Sequence, residues 1–512
     1  MGQFDITRVN ATPLKSTPRR TVFAAAALAG ASVLPTWRRR ALAADVYDAI
    51  IVGAGTAGLP AAIFAAERGA RVLVIEKAPI LGGTLDRSGG QVTAAGTVYQ
   101  KKRGIKDAPQ LHYDDVMRIT RNTSDPVLTK LWTDNAADVI NWLAGHGLEL
   151  TPDTPNFGQH EHLSVARAHL PKSAARAYLN IMEPLLRKAE AGGKVTVVVS
   201  AKAADLIQDP GGAVIGVTVE DETGGLQDFM GRNVVLTSGG CLANARLFED
   251  LHGVPLYYAA GYPFCQGDGI ILGQGAGGYV RGGEMFCPLI ATLTADDSVP
   301  SASVGGFDSD AQHRAPWELW VNAEGRRFVA EDHPSEGHKE RTLAKQTSHR
   351  LWLIFDQEIL DKAPELIRGW KRDKYTEAFK SHPMFAAAPT LDLLGARTGL
   401  NPAALAQSVS AYNAARAAGA PDPLGREHRP AAVATAPYYA IRLQGYGLMT
   451  WAGLAVDERL RVIRPDGRPI PNLYGAGEVI GKGTFGDSYC NGSGVTPALT
   501  FGRLLGKSLL PV

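Results

Sequence analysis

Cysteine is scarce in this chain: four in 512 residues, Cys241, Cys265, Cys287 and Cys490, with no C-x-x-C and no C-x-x-C-H among them. That spacing excludes an attached c-type haem and argues against an iron–sulfur or zinc centre, so no metal ligands are expected. An excess of charge of one sign is lacking too. The 53 Lys+Arg and 51 Asp+Glu nearly cancel, and nothing in their distribution suggests nucleic-acid binding. The apolar stretch 23–34 is too short to span a bilayer, so stable membrane insertion is not expected. Internal repeats and low-complexity segments are absent after the first 43 residues. At this length the chain should divide into two or more domains, and its many Gly and Ala residues suit a doubly wound α/β fold.

The most informative stretch is VYDAIIVGAGTAGLPAAIFAAERGARVLVIE at 46–76. It opens with a short run of apolar, β-branched residues that reads as a buried strand. Gly53, Gly55 and Gly58 follow in the spacing G-x-G-x-x-G, then an Ala-rich helix over about 57–68, Gly69 as a stop, and a second strand over 71–75. Gly53 lets the strand turn, Gly55 lets backbone approach a pyrophosphate, and Gly58 lets the helix pack on the strand. The helix N-terminus offers N–H groups and its positive dipole end to the phosphates. Glu76, at the tip of the second strand, is placed to accept hydrogen bonds from a ribose diol. Strand, glycines, helix, strand and acid in this order predict dinucleotide binding.

Glu76-Lys77 leads to Gly82-Gly83-Thr84 and then Ser88-Gly89-Gly90. Here the chain resembles the flavoprotein family of fumarate reductases and succinate dehydrogenases, which implies FAD rather than NAD. Ser238-Gly239-Gly240 resembles the turn that brings those proteins back to the cofactor, and Gly475-Ala476-Gly477-Glu478 resembles the run they set against the ribityl chain. Ser493-Gly494-Val495 leads into a helix expected over 500–508, whose N-terminus would face the pyrimidine end of the flavin. The resemblance covers nearly all of 46–510. It implies FAD contacts at Gly53, Gly55, Ala57, Gly58, Glu76, Lys77, Gly83, Thr84, Ser88, Gly89, Gly90, Ala203, Ser238, Gly239, Gly477, Glu478, Ser493, Gly494 and Val495. No histidine lies in 77–97, where members with a covalent flavin carry one, so non-covalent FAD is expected. The implied fold class is α/β: a Rossmann-like, glutathione reductase-type FAD-binding domain at 44–244 and 435–512, with an inserted α+β capping domain at 245–434. Between these landmarks the pattern predicts helix over 109–148 and 401–418, a further helix within 164–188 after His169-Leu170-Pro171, and strands over 194–208, 214–220 and 233–237.

Residues 1–43 hold 7 of the Lys+Arg and 1 of the Asp+Glu, leaving 46 against 50 in the rest. Ser16-Thr17-Pro18-Arg19-Arg20-Thr21-Val22-Phe23 looks like a twin-arginine motif, and Ala41-Leu42-Ala43 offers a cleavage site. The expectation is export by the twin-arginine machinery to the periplasm with cofactor already loaded, the alternative being a disordered basic tail.

Fumarate reductases clamp a dicarboxylate with histidines and arginines. At the matching positions this chain has Cys287-Pro288 for His-Pro, Ser335 for an arginine, Leu448-Met449-Thr450 for His-His-Thr, and Tyr489 for another arginine. The run Ser488-Tyr489-Cys490-Asn491-Gly492-Ser493-Gly494 is instead similar to one in tricarballylate-type dehydrogenases and to one in 3-ketosteroid dehydrogenases. The steroid-enzyme likeness implies that Tyr489 and the Gly492 N–H polarise a substrate carbonyl. Desaturation then needs a base for the α-proton while the β-hydrogen leaves as hydride. Tyr446 is one candidate base, and His333 or His338 another. The expected substrate is a small, largely apolar carbonyl compound, because paired carboxylates would be stranded among Cys287, Leu448, Met449, Trp451 and Tyr489. Alternatives are a polycarboxylate held by Arg341 or Arg314, and a flavin redox carrier without catalysis. Lacking haem, the enzyme needs an external electron partner: a quinone, a cytochrome or an artificial dye.

Overall fold

The computed structural model describes residues 46–158, 160–258 and 261–509; the expected export signal at 1–43 lies outside the described residues. Ala49–Val52, Val72–Ile75 and Val234–Leu236 are short aliphatic runs with every residue buried, as parallel strands covered on both faces must be. They form the middle of a six-stranded sheet in the order Arg461–Ile463, Pro469–Gly475, Val234–Leu236, Ala49–Val52, Val72–Ile75, Val195–Val198. Ile51 stands opposite Val74 on one side and Val235 on the other. All neighbours are parallel except the first pair, an antiparallel hairpin.

Helix Gly58–Glu67 connects the first two strands of the chain. A Cβ on Gly58 would lie 1.8 Å from the Gly53 carbonyl oxygen, so the helix can sit this close to the turn only with hydrogen at that position. Helices Arg176–Ala191 and Val495–Ser508 pack against it, and Pro126–Gly145 packs against the second of these. The strands Ala201–Gln208, Val214–Asp221 and Leu226–Met230 make a separate antiparallel sheet beside this layer.

A second six-stranded sheet is antiparallel, ordered Ser303–Gly306, Leu289–Thr294, Tyr438–Tyr446, Arg350–Asp356, Leu319–Val321, with Phe385–Ala388 also paired to Tyr438–Tyr446. Its core includes Trp320, Leu353, Phe355, Leu405 and Tyr412. The whole is the α/β fold with an added α+β layer that the sequence predicts. The expected boundaries need correcting. Strand Tyr438–Tyr446, expected to have re-entered the first domain by 435, is a central strand of the second sheet, because its backbone is paired on both edges. At the other end, helix Asp268–Gly275 packs on strand Ala201–Gln208, and the Gly269 N–H donates to Ser238 Oγ at 2.9 Å. The second sheet itself begins only at Leu289.

Other elements differ in detail. The helical stretch predicted over 109–148 is two helices, Pro109–Ile119 and Pro126–Gly145. Arg121 and Asn122 adopt positive φ between them, and Asp125 caps the second helix ahead of Pro126. The last helix starts at Val495 rather than 500. The predicted 194–208 strand breaks at Ser200, which also has positive φ.

The segment Val321 to Arg327 closes as a bridge at the edge of the second sheet. Arg327 donates to both Glu331 oxygens at 2.9 and 2.7 Å and to Asp422 at 2.7 Å, and both carboxylates are fully buried. Arg426 also approaches Glu331 at 3.3 Å. Removing one partner leaves buried charge without compensation, at a cost of about 3–5 kcal/mol. Arg327→Ala should therefore lower the urea midpoint substantially, whereas a midpoint equal to wild type would show that the network contributes nothing.

Candidate active site

A cavity of about 370 Å³ runs along the carboxyl edge of the parallel sheet. The chain delivers a bordering residue just beyond each of four strands: Gly53 after Val52, Glu76 after Ile75, Ser238 after Leu236 and Gly477 after Gly475. This edge is where open α/β sheets bind ligands, since the connections diverge there and leave a crevice.

Of the residues predicted to contact cofactor, Gly53, Gly55, Ala57, Glu76 and Lys77 border the cavity, as do Gly83, Thr84, Ser88, Gly89 and Gly90. Ala203, Ser238 and Gly239 border it from the middle of the chain, and Gly477, Glu478, Gly494 and Val495 from its end. Gly58 does not. It sits behind the turn, where its role is packing. Ser493 also lies outside, its hydroxyl donating to the Cys490 carbonyl at 2.7 Å and closing the turn.

A Cβ on Gly55 would meet nothing nearer than the Gly82 carbonyl oxygen at 3.9 Å, so any side chain there would project into the cavity. Two helix N-termini open onto it, at Ala57 and at Gly494–Val495, and both favour negative charge. Glu76 is buried; its two oxygens accept from Ala54 N and Ala78 N at 2.8 Å each. Burial raises its pKa against those hydrogen bonds and the Lys77 charge. A carboxylate has further lone pairs, so the oxygens can accept from a ribose diol as well. Lys77 is paired with Asp268 at 2.8 Å. Glu478 accepts from Thr450 N at 2.8 Å, and its pKa too is raised by burial. The donor set and the open cradle at Gly55 fit FAD.

Tyr489 borders the cavity and packs with Cys287, Met449, Trp451 and Phe485. Burial, with the Cys490 and Glu340 charges, pushes its phenol up to about 12, the Gly492 N–H acting in the opposite direction. The two predicted carbonyl donors thus sit together, but Gly492 itself does not border the cavity. Its Cα faces Thr93, and a Cβ there would lie 2.7 Å from Thr93 N. Tyr446, at the end of its strand, meets the Tyr258 ring edge-on at 5.5 Å and does not border the cavity either. His333 and His338 stack on each other at 4.0 Å, away from it. None of the three candidate bases is brought to the site. Arg314 is taken up by Glu318 in two hydrogen bonds, at 3.0 and 2.7 Å. Arg341 donates to the Ser488 hydroxyl, next to Tyr489. Ser335 caps helix Glu336–Leu343. Burial raises the thiol pKa of all four cysteines and so favours their protonated form. Among the described residues no cluster could hold a metal ion, and no helix is long and apolar enough to cross a membrane.

Sequence reasoning missed three parts of the site. Tyr262, Phe264 and Cys265 form a strap that borders the cavity; only the nearby Gly267-Asp268-Gly269 helix start signals it. His160, in the loop after Asn156, reaches Glu340 on the helix Glu336–Leu343 and lies against Tyr489. His252 holds the 448–452 loop that supplies Met449: Trp451 N and Ala452 N both donate to its Nε2 at 3.1 Å, while Nδ1 meets the Phe248 carbonyl at 2.8 Å. Neither histidine has a local sequence pattern, because Glu340 and Tyr489 for His160, and Trp451 and Ala452 for His252, are distant in the chain.

A family model described as "FAD binding domain" matches residues 48–495. The fumarate reductase (cytochrome) of Shewanella frigidimarina is 30% identical over 92% of this chain and 78% of its own length. The vinyl phenol reductase of Lactiplantibacillus plantarum is 26% identical, covering 87% of this chain and 92% of its own. In fold, the 3-ketosteroid Δ1-dehydrogenase of Sterolibacterium denitrificans superposes with a TM-score of 0.70 at 21% identity, over 91% of this chain and 99% of that one.

The His252 contacts carry a pH dependence. Its pKa falls to about 4, chiefly through burial, against the Phe248 carbonyl. The neutral form is therefore favoured in the folded state, so its contribution is complete above the ordinary histidine value and is lost as pH falls towards 4, by about 3 kcal/mol in all. In urea unfolding, His252→Leu should lose less stability than wild type between pH 6.5 and 4; parallel curves would contradict this.

Proposed function

The chain belongs to the FAD binding domain family that includes the fumarate reductases, and from that premise we propose an FAD-dependent oxidoreductase acting on a C=C or C–C bond beside a carbonyl in a small, largely apolar compound. The observation that carries this reading is the cavity wall of Met449, Phe485 and Tyr489, packed with Cys287 and Trp451. Of the basic side chains that border the cavity, Lys77 and Lys202 face Asp268 at 2.8 and 3.9 Å and Arg87 lies over the Tyr262 ring. Two carboxylates set against that wall would lose several kcal/mol each without partners, whereas one carbonyl needs only a donor.

Bound FAD supplies hydride transfer to or from the β-carbon. The Tyr489 hydroxyl donates to the substrate carbonyl and stabilises the charge that develops there, a term worth on the order of a hundredfold in rate. The Gly492 N–H orients that hydroxyl, Met449 and Phe485 line the wall against the substrate, and the α-proton that balances the hydride is exchanged with water. The antiparallel sheet from Leu289 to Tyr446, with its helices, serves as the cap over this end of the cavity. FAD is held without a covalent bond, and electrons pass to or from a separate quinone or cytochrome. Residues 1–43 direct export through the twin-arginine route to the periplasm.

A polycarboxylate is the second candidate substrate, favoured by Arg341 lying on Ser488 beside Tyr489 and by the fumarate reductase relative. Purified protein assayed with an artificial electron carrier against cyclic ketones and di- and tricarboxylates separates the two. Turnover of a ketone is expected, with Tyr489→Phe reducing kcat about a hundredfold; turnover of a polycarboxylate alone would overturn the ketone reading. Acid precipitation should release all yellow colour to the supernatant, and a yellow pellet would overturn non-covalent binding.

A further inference from the structure

The loop that carries His160 is tied to two separate parts of the molecule. Asn491 Nδ2 donates to the Glu161 carbonyl at 2.7 Å, which fixes the loop to the turn that bears Tyr489. On the other side Glu161 Oε1 accepts from Ser335 Oγ at 2.6 Å and Gly337 N at 2.8 Å, at the start of helix Glu336–Leu343. Between these anchors His160 Nε2 lies 2.9 Å from Glu340 Oε1, with the side chains 16% and 3% exposed. The imidazole meets the Tyr489 ring at 5.3 Å between centroids and 84° between planes. Its Nδ1 is buried and has no hydrogen-bond partner among the described residues. Neither residue has a part in the chemistry assigned so far.

We infer that His160, bound to Glu340 and set against the Tyr489 ring, is a positioning residue that strengthens the Tyr489 hydroxyl as hydrogen-bond donor to the substrate carbonyl. The inference rests on the role given to Tyr489 above. A cation within about 6 Å of an aromatic ring is attracted to it, and a positive charge there stabilises the phenolate, so the phenol becomes a stronger donor. The groups facing His160 favour its charged form. Burial alone would lower its pKa, but Glu340 and Glu336 on the helix and Glu161 on its own loop together raise it. The neighbouring cations are otherwise engaged: Lys339 pairs with Glu336, and Arg341 lies on Ser488. No proton has to leave the pair for this effect.

The test places a fluorinated tyrosine, whose phenol ionises at lower pH, at position 489 of the FAD-loaded protein and follows its ionisation by fluorine NMR. His160→Gln should raise the ionisation midpoint, by about one pH unit, because it removes the imidazolium. Glu340 also raises the Tyr489 phenol directly through its charge, so Glu340→Gln, which loses both effects, should shift the midpoint less than His160→Gln does. No rise in His160→Gln, or a rise in Glu340→Gln as large as in His160→Gln, overturns the inference. In the unlabelled enzyme His160→Gln should reduce kcat about tenfold with KM little changed; an effect confined to KM would overturn it as well. No shift alongside a hundredfold-impaired Tyr489→Phe defeats His160 alone. A shift alongside an unimpaired Tyr489→Phe defeats the role of Tyr489 and the catalytic part of this inference with it.

Discussion

A dinucleotide brings buried negative charge to the carboxyl edge of a parallel sheet, where little water is available to solvate it. The protein must meet that charge with fixed dipoles, and the rest of the architecture follows from this constraint. Two helices, Gly58–Glu67 and Val495–Ser508, start at the same cavity although they lie far apart in sequence. They pack directly on each other, so the end of the chain must return to its beginning to complete the site. Gly58 permits the first helix to start close to the strand, and Glu76 is locked by two backbone N–H groups at the next strand end. Of the three acids that border the cavity, Glu76 and Glu478 are held by backbone donors and Asp268 by Lys77, rather than left to repel the cofactor.

The second sheet depends on this frame through a few ties. Leaving strand Tyr438–Tyr446, the chain passes directly into the 448–452 loop, where His252, Glu478 and Gly486 receive the backbone and indole N–H groups. The His160 loop makes the other connection, joining Asn491 to the first turn of helix Glu336–Leu343. Tyr489 lies between these two ties. The carbonyl-donor role proposed for Tyr489 needs fixed placement to favour the transition state over the ground state, and these polar contacts hold the turn that bears it where the wall is otherwise apolar.

Much of the first half of the site was legible because its residues are close in sequence. Strand, glycine turn, helix and acid follow one another within 46–76, and each has a steric or dipolar reason that needs no partner elsewhere. Gly477, Glu478 and Gly494 were singled out through resemblance, and they border the cavity. The return to the first sheet was misplaced because the sequence of Tyr438–Tyr446 does not name its sheet; only pairing with Arg350–Asp356 and Phe385–Ala388 decides it. The candidate bases failed for a related reason. Tyr446, His333 and His338 are near site residues in sequence, but strand direction and helix capping turn them elsewhere. His160 and His252 work through residues roughly 180 and 200 positions away, a relation that no local pattern encodes.

The central claim is that the family's redox chemistry operates here on a carbonyl compound without a dicarboxylate clamp. The most direct measurement is stopped-flow reoxidation of the anaerobically reduced, FAD-loaded protein, followed by the flavin's visible absorbance. A conjugated cyclic ketone should restore the oxidised spectrum in a single saturable phase, and fumarate should do so at least about a hundredfold more slowly. Rapid reoxidation by fumarate, with none by the ketone, would contradict the account.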